Sequence, residues 1–479
     1  MTVANLDSIQ GKHSQPKAHI SGVFAGGFLA LWCAVTGLST LVWAPLNVEL
    51  NVLVMVVMPF IIGFWLTRNF TDALLLVWVN EIFFGGNGHW LEIGPVSGRW
   101  LLLSGLILFG IIQRAREASS GAARPKFGRV IVFYGIWFPL SLVLYSAGIL
   151  GNSFWKALGD VNYLYALLIY FPMRSFLSRS YFLFQGWFFG VVLIISMISL
   201  YLAFAPYAAG LPLYWAIAGE SIVGTTSSGI TRAAFLSQVL LFTGWFIGLF
   251  FLGDPSQPGK SRLAGLGFAG ISVAPLILLF LRGPIMGLLI VMAFFVLASL
   301  YSRTVIIAKW FVFLGLAAFF STYLLYIRII PEAIERFTLV DADYAAYVSA
   351  ERVEQAGLML DLFSEKPLLG QGVGVPVIIA GQERFEFELQ YNMLLYRVGI
   401  INMIVLLFPV AWFFRDLFFI LRVRGRLVRQ IKVKIVIAVL LSLLTILIAG
   451  AMNPYLIAVF TPFLIVIYLA QRELVLAPV

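Results

Sequence analysis

The sequence predicts an all-α membrane protein, a polytopic transmembrane helical bundle of about 12–14 spans with one large helical loop on the outer side. Three observations predict it. Of the 479 residues 61% are hydrophobic and only 11% charged, against roughly 25% charged in an ordinary soluble domain. The apolar residues gather in runs near the length of about 20 residues that a helix needs to cross a bilayer. The basic residues fall in short segments between those runs and favour one side, as they do in oriented membrane proteins.

Taken in order, a polar tail at 1–21 carries Lys12 and Lys17 and has no small-residue cleavage site of the secretory kind. Apolar runs then place spans at 22–43, 47–66, 71–84, 99–113, 130–150, 161–173, 182–205, 234–252, 263–281, 283–301 and 309–330. A loop at 331–391 follows, then spans at 392–414, 434–451 and 455–471 and a short tail at 472–479. The third and sixth runs are short for a full crossing and suit tilted, broken or re-entrant segments. With the N-terminus cytoplasmic and the spans alternating, 22 of the 32 basic residues but only 6 of the 22 acids lie inside. Both termini are therefore expected in the cytoplasm. The largest basic cluster, Arg422 to Lys434, anchors that topology or binds anionic lipid.

These counts also narrow the function. The net charge of +10 is spread over short loops and does not form a nucleic-acid surface. The single cysteine, Cys33, allows no internal disulfide, and the three histidines form no metal-ligand pattern. Phosphate-binding, dinucleotide and HExxH motifs are absent, so neither a cofactor nor a metal is expected. No internal repeat is visible, which counts against a transporter built from duplicated bundles.

The outer loop and the ends of the spans beside it carry the chemistry. Between Ala350 and Phe363 apolar residues recur at Val353, Ala356, Leu360 and Phe363. This is the spacing of an amphipathic helix, expected to lie on the membrane face with Arg352 and Gln355 side by side. It should stop before Pro367. The Pro367-Leu-Leu-Gly-Gln-Gly-Val-Gly374 stretch has three glycines in five residues, Gly370, Gly372 and Gly374. Such a turn can bring amide N–H groups close to an anion, though loops of many proteins share it. Arg232, Arg282 and Arg397 stand at outer span ends, where a guanidinium near hydrocarbon is a functional candidate unless it snorkels or pairs structurally. Arginine's planar fork suits phosphate oxygens. Asp341 and Asp343 have the spacing of a metal-binding pair, but chance suffices for them in so acidic a loop. His89 and Trp43, Trp90, Trp100 and Trp215 read as interface residues.

The order of these elements resembles the bacterial O-antigen ligases and O-antigen (Wzy-type) polymerases. Four stretches carry the likeness within roughly 220–415: Ser227 to Arg232, Arg282-Gly283-Pro284, Arg352 to Gly374, and Glu388 to Gly399. The resemblance implies a GT-C-like helical fold in the bacterial inner membrane, working on the periplasmic face. The donor it implies is a glycan on undecaprenyl pyrophosphate, held at its pyrophosphate by Arg232, Arg282 and Arg352. Gln355, Gly370, Gly372, Tyr391 and Arg397 are expected around the glycan and pyrophosphate. Ligases carry a histidine where this chain has Glu388, which favours a polymerase with Glu388 as general base; pairing with Arg384 is the structural alternative. A ligase acting on lipid A-core, and a flippase or transporter, are the rivals. Membrane lipid, chain-length regulators and export proteins are the further partners expected.

Overall fold

The computed structural model describes residues 16–43, 53–84, 92–93, 96–119, 130, 132–146, 164–204, 223–225, 231–233, 236–254, 257–278, 282–301, 342–379, 382–384, 389–423, 431–450 and 460–476. The helices are α1 (Pro16–Trp43), α2 (Met58–Thr67), α3 (Phe70–Phe84), α4 (Gly98–Ser119), α5 (Phe138–Ser146), α6 (Tyr170–Arg179) and α7 (Tyr181–Phe204). They continue with α8 (Val239–Leu252), α9 (Gly259–Leu278), α10 (Arg282–Tyr301), α11 (Ala342–Glu365), α12 (Gln390–Val423), α13 (Ile431–Ala449) and α14 (Phe460–Leu476). One π-helical turn, Leu53–Val57, leads into α2 and another, Phe133–Trp137, into α5. The span expected at 309–330 lies outside the described residues.

Among the described residues strands are confined to three antiparallel hairpins: β1 (Glu92–Ile93) with β2 (Val96–Ser97), β3 (Val223–Thr225) with β4 (Thr231–Ala233), and β5 (Val377–Ile379) with β6 (Gln382–Arg384). Arg232 of β4 sits opposite Gly224. The chain is thus an all-α protein with small hairpins between helices.

Three described helices are long and apolar enough to cross a membrane: Tyr181–Ala203, Gln390–Phe419 and Ile431–Ala449. Shorter apolar helices pack around them. The helices α8 and α13 form the centre, buried along nearly their whole length and joined by a Thr243–Ser442 hydroxyl bond of 2.8 Å. Peripheral helices turn large apolar side chains outward: Phe24, Phe28 and Leu31 on α1, Leu263 on α9, and Ile404 and Phe408 on α12. Faces of that kind would aggregate in water, and they suit a bundle in lipid.

Small residues set the closest helix contacts, as expected where lipid gives helices no hydrophobic reason to associate. Gly26 of α1 and Gly186 of α7 let the two backbones touch. A Cβ on Gly26 would stand 2.1 Å from the Leu183 carbonyl oxygen, and one on Gly186 1.9 Å from that of Val23. Gly244 and Gly248 of α8 meet Ser272 and Ala269 of α9 in the same way.

Ion pairs tie together one end of the bundle, here termed the basic end. Arg179 of α6 holds Asp72 of α3 at 2.5 Å, and Arg174 holds Glu473 of α14 at 2.5 Å. Lys434 of α13 holds Asp254, just past α8, at 2.7 Å. Arg472 and Tyr468 of α14 both donate to Asp416 of α12. At the opposite or loop end, the Tyr391 hydroxyl at the start of α12 donates to the Leu447 carbonyl of α13. A Cβ on Gly287, early in α10, would lie 3.0 Å from the Thr445 carbonyl oxygen.

Candidate functional site

The loop end is organised by a break in α12. Gly399 has φ 71° and ψ 177°, outside any helical conformation, so the helix stops and restarts there. Backbone groups released by the break would be costly in hydrocarbon unless satisfied by other protein groups. The glycine-rich turn satisfies them. Gln371 N–H donates to the Tyr396 carbonyl at 2.7 Å and Gly372 N–H to the Arg397 carbonyl at 2.9 Å. In return Ile400 N–H donates to the Pro367 carbonyl at 3.0 Å and Ile401 N–H to the Leu368 carbonyl at 3.2 Å. Glycine is required on both sides of this clasp. Gly370 has φ 75°, and its Cβ would lie 2.3 Å from the Arg397 oxygen; a Cβ on Gly399 would lie 2.4 Å from the Leu368 oxygen.

The turn therefore differs from the anion cradle expected of it. The amides of Gln371 and Gly372 are engaged with α12, and that of Gly370 donates to the Lys366 carbonyl at 2.9 Å. The physical reason is that a broken membrane helix exposes carbonyls that need donors more locally than a ligand does.

A second defect in α12 is repaired similarly. Pro409 has no N–H to give the carbonyl four residues earlier, that of Val405. The indole N–H of Trp137, in the turn before α5, donates to that oxygen at 2.6 Å. Asn402 adds an amide bond of 3.0 Å to the Leu144 carbonyl of α5.

Next to the break, Arg397 is 1% exposed. Its Nε donates to the Tyr396 hydroxyl at 3.1 Å, and that hydroxyl donates to the Val375 carbonyl at 3.1 Å. The guanidinium is thus fixed at the loop end of α12. Gln355 of α11 is buried against the same region, which includes Met359, Met393 and Tyr396.

A narrow apolar cleft of about 110 Å³ runs beside α12, lined on that helix from Tyr391 and Leu394 to Phe413 and on α13 by Leu443 and Leu447. Its walls on α13 and α14 are short stretches, Leu443 to Leu447 and Thr461 to Ile465, about 6 Å each at 1.5 Å per residue. Its volume is well below the roughly 300–1,000 Å³ of pockets for drug-sized ligands, so it admits only a short apolar segment. Thr461 of α14 and the Tyr391 ring bring the few polar atoms.

The structure brings Gln355, Gly370, Gly372, Tyr391 and Arg397 to one end of the bundle through the packing of α11 on α12. Arg282 opens α10, whose Gly287 abuts the last turn of α13 near the bond made by Tyr391. Arg352 lies on α11, and Arg232 lies on β4, which packs against α7. The side chains of Arg232, Arg282 and Arg352 lie outside the described residues, as do Glu388, Asp341 and His89 entirely. The described residues contain no cluster of three metal-ligating side chains.

One feature lies outside the expectations from sequence. Glu81, an acid inside an apolar run, holds Arg99 in a buried pair of 2.6 Å between α3 and α4; its place in the run was the available signal. The apolar stripe expected on α11 is turned outward at Val353 and Leu360, in keeping with a helix that lies on the membrane face, and Gln355 and Met359 are buried on its other side.

The fold and site define a multi-spanning helical membrane protein. No protein-family model, curated protein or solved structure matches the chain.

Proposed function

We propose that the protein polymerises lipid-linked repeat units of O-antigen, capsule or exopolysaccharide at the periplasmic face of the bacterial inner membrane. In this reading the basic end is cytoplasmic and the loop end periplasmic, with about 12–14 spans, both termini inside and a GT-C-like bundle. The observation that carries it is a small apolar cleft beside α12, the broken helix that also holds the buried Arg397. An apolar cleft with room for part of one prenyl or acyl chain, and a buried cation on the same helix, are elements that a long-chain lipid with an anionic head would use.

The chemistry follows from the donor. An acceptor hydroxyl on a new lipid-linked unit attacks the anomeric carbon of the growing glycan, and the bond from that carbon to the pyrophosphate oxygen breaks. Glu388 takes the hydroxyl proton, a role for a positioned carboxylate. Arg232, Arg282, Arg352 and Arg397 offset the charge that develops on the departing pyrophosphate. Gln355 and Tyr391 orient the glycan, and the Gly370–Gly372 turn fixes the broken helix that carries Arg397. No metal has a part in these steps.

Four cross-links at the basic end favour this reading over a flippase. Alternating access would have to open that end and separate charges already paired and largely buried, and removing one partner of a buried pair costs about 3–5 kcal/mol.

Purified protein supplied with lipid-linked repeat units should yield a ladder of lengthened glycans. Arg282→Ala should slow it about 10²–10³-fold, as loss of one stabilising donor does, and Glu388→Gln about 10²–10⁴-fold. Transfer to a different acceptor with no ladder would make the protein a ligase. No glycan transfer to any acceptor would remove the enzyme reading altogether, and wild-type rates in both variants would remove Arg282 and Glu388 from the mechanism.

A further inference from the structure

Leu368 and Leu369, at the tip of the glycine-rich turn, are 59% and 52% exposed. They are held against α12 by the bonds from Ile400 and Ile401 to the carbonyls of Pro367 and Leu368. Ile400 and Ile401 begin an exposed apolar ridge that runs on through Ile404 and Phe408. That ridge belongs to a segment long and apolar enough to cross the membrane, so acyl chains are its natural neighbours. The two leucines extend the ridge sideways, at the depth of Ile400 and Ile401 just past the break in α12.

The surroundings agree with that depth. Glu365 and Lys366, just before the turn, are exposed polar groups, and the Gln371 side chain donates to Glu365 at 2.7 Å and to the Leu362 carbonyl at 2.6 Å. They form a polar collar at the level of headgroups. Val353 and Leu360, seven residues apart on α11, show the same outward apolar stripe. Non-helical backbone at membrane depth is tolerated where protein satisfies it, and the four bonds exchanged with α12 do so.

We propose that Pro367–Gly370 is a re-entrant wedge, with Leu368 and Leu369 inserted among the acyl chains of the leaflet at the loop end and α11 lying along its headgroups. The occupant of this surface is lipid, because the wedge continues a lipid-facing ridge without interruption. The wedge pins the loop to the bilayer and keeps the α12 break closed from the side. It holds whichever reaction the loop end performs, so its test is independent of glycan transfer.

The test uses the full chain in phosphatidylcholine bilayers with Cys33→Ala, so that Leu368→Cys or Leu369→Cys can each carry an environment-sensitive fluorophore. Glu383→Cys, on an exposed position of β6, gives the aqueous reference. At both leucine positions the emission should shift to the blue, most of it should be lost to nitroxide on the lipid chains, and iodide should have little effect. The unmodified protein, irradiated with phosphatidylcholine bearing a photoreactive acyl chain, should be tagged on the peptide that contains Leu368 and Leu369. Iodide quenching equal to that at Glu383→Cys would overturn the wedge. Shielding from both quenchers with no lipid tag would also overturn it, and would mean that protein covers the leucines instead.

Discussion

Gly399→Ala is the sharpest probe of the clasp. Alanine must adopt φ near 71° with ψ near 177°, a region essentially reserved for glycine, at about 1–3 kcal/mol. Its Cβ would sit 2.4 Å from the Leu368 oxygen and 2.5 Å from the Gly370 nitrogen, so the turn and the helix must separate. Losing two of the crossing bonds adds about 0.5–1.5 kcal/mol each. The total, roughly 3–5 kcal/mol, corresponds to a shift of about 10²–10⁴ in the local opening equilibrium. Hydrogen exchange followed by mass spectrometry in lipid nanodiscs reads this directly. The peptide holding Gln371 and Gly372 should lose its protection by that factor, and peptides from α8 should keep theirs. Gly267→Ala is the control: its Cβ meets nothing within 4 Å, and helix propensity should stabilise it by up to about 1 kcal/mol. Undiminished protection of Gln371 and Gly372 in Gly399→Ala would refute the interlocking account.

Two further outcomes follow from the packing. Gly186→Val should separate α1 from α7, because even a Cβ there lies 1.9 Å from the Val23 oxygen; size-exclusion profiles of the extracted protein should show loss of the monodisperse form. Trp137→Phe strands the Val405 carbonyl and should cost about 1–3 kcal/mol in unfolding. Adding Pro409→Ala restores an N–H to that carbonyl, so the double variant should recover part of the loss; no recovery would mean that the indole acts by packing alone.

Much of the bundle was legible because an apolar run of bilayer length has few alternatives to a helix. The helices α3, α7 and α10 start within two residues of the runs read at 71–84, 182–205 and 283–301. The break at Gly399 was not legible, since hydrophobicity continues across it from Met393 to Leu407 and a single glycine inside a span is common. Its cause is a partner some thirty residues earlier in the chain, which no local pattern reveals. Three glycines in five residues mark the turn as special, but the carbonyls that engage its donors are a product of tertiary structure that no local pattern names. For α11 the spacing of Val353 and Leu360 gives the outward apolar stripe, whereas the burial of Gln355 and Met359 on the other side is not legible, because periodicity gives an angle without naming the neighbour. The α1–α7 contact did leave a signal, small residues four apart at Gly22 and Gly26 and again at Gly186 and Gly190.

The last helix has a consequence for how the chain matures. Arg472 and Glu473 on α14 are the charges that Asp416 and Arg174 hold in the finished bundle. During synthesis those two residues enter the bilayer region before their counterparts exist, and must wait, hydrated, near its rim. Asp416 of α12 and Arg174 of α6 are therefore paired only once α14 has been made and has packed beside them.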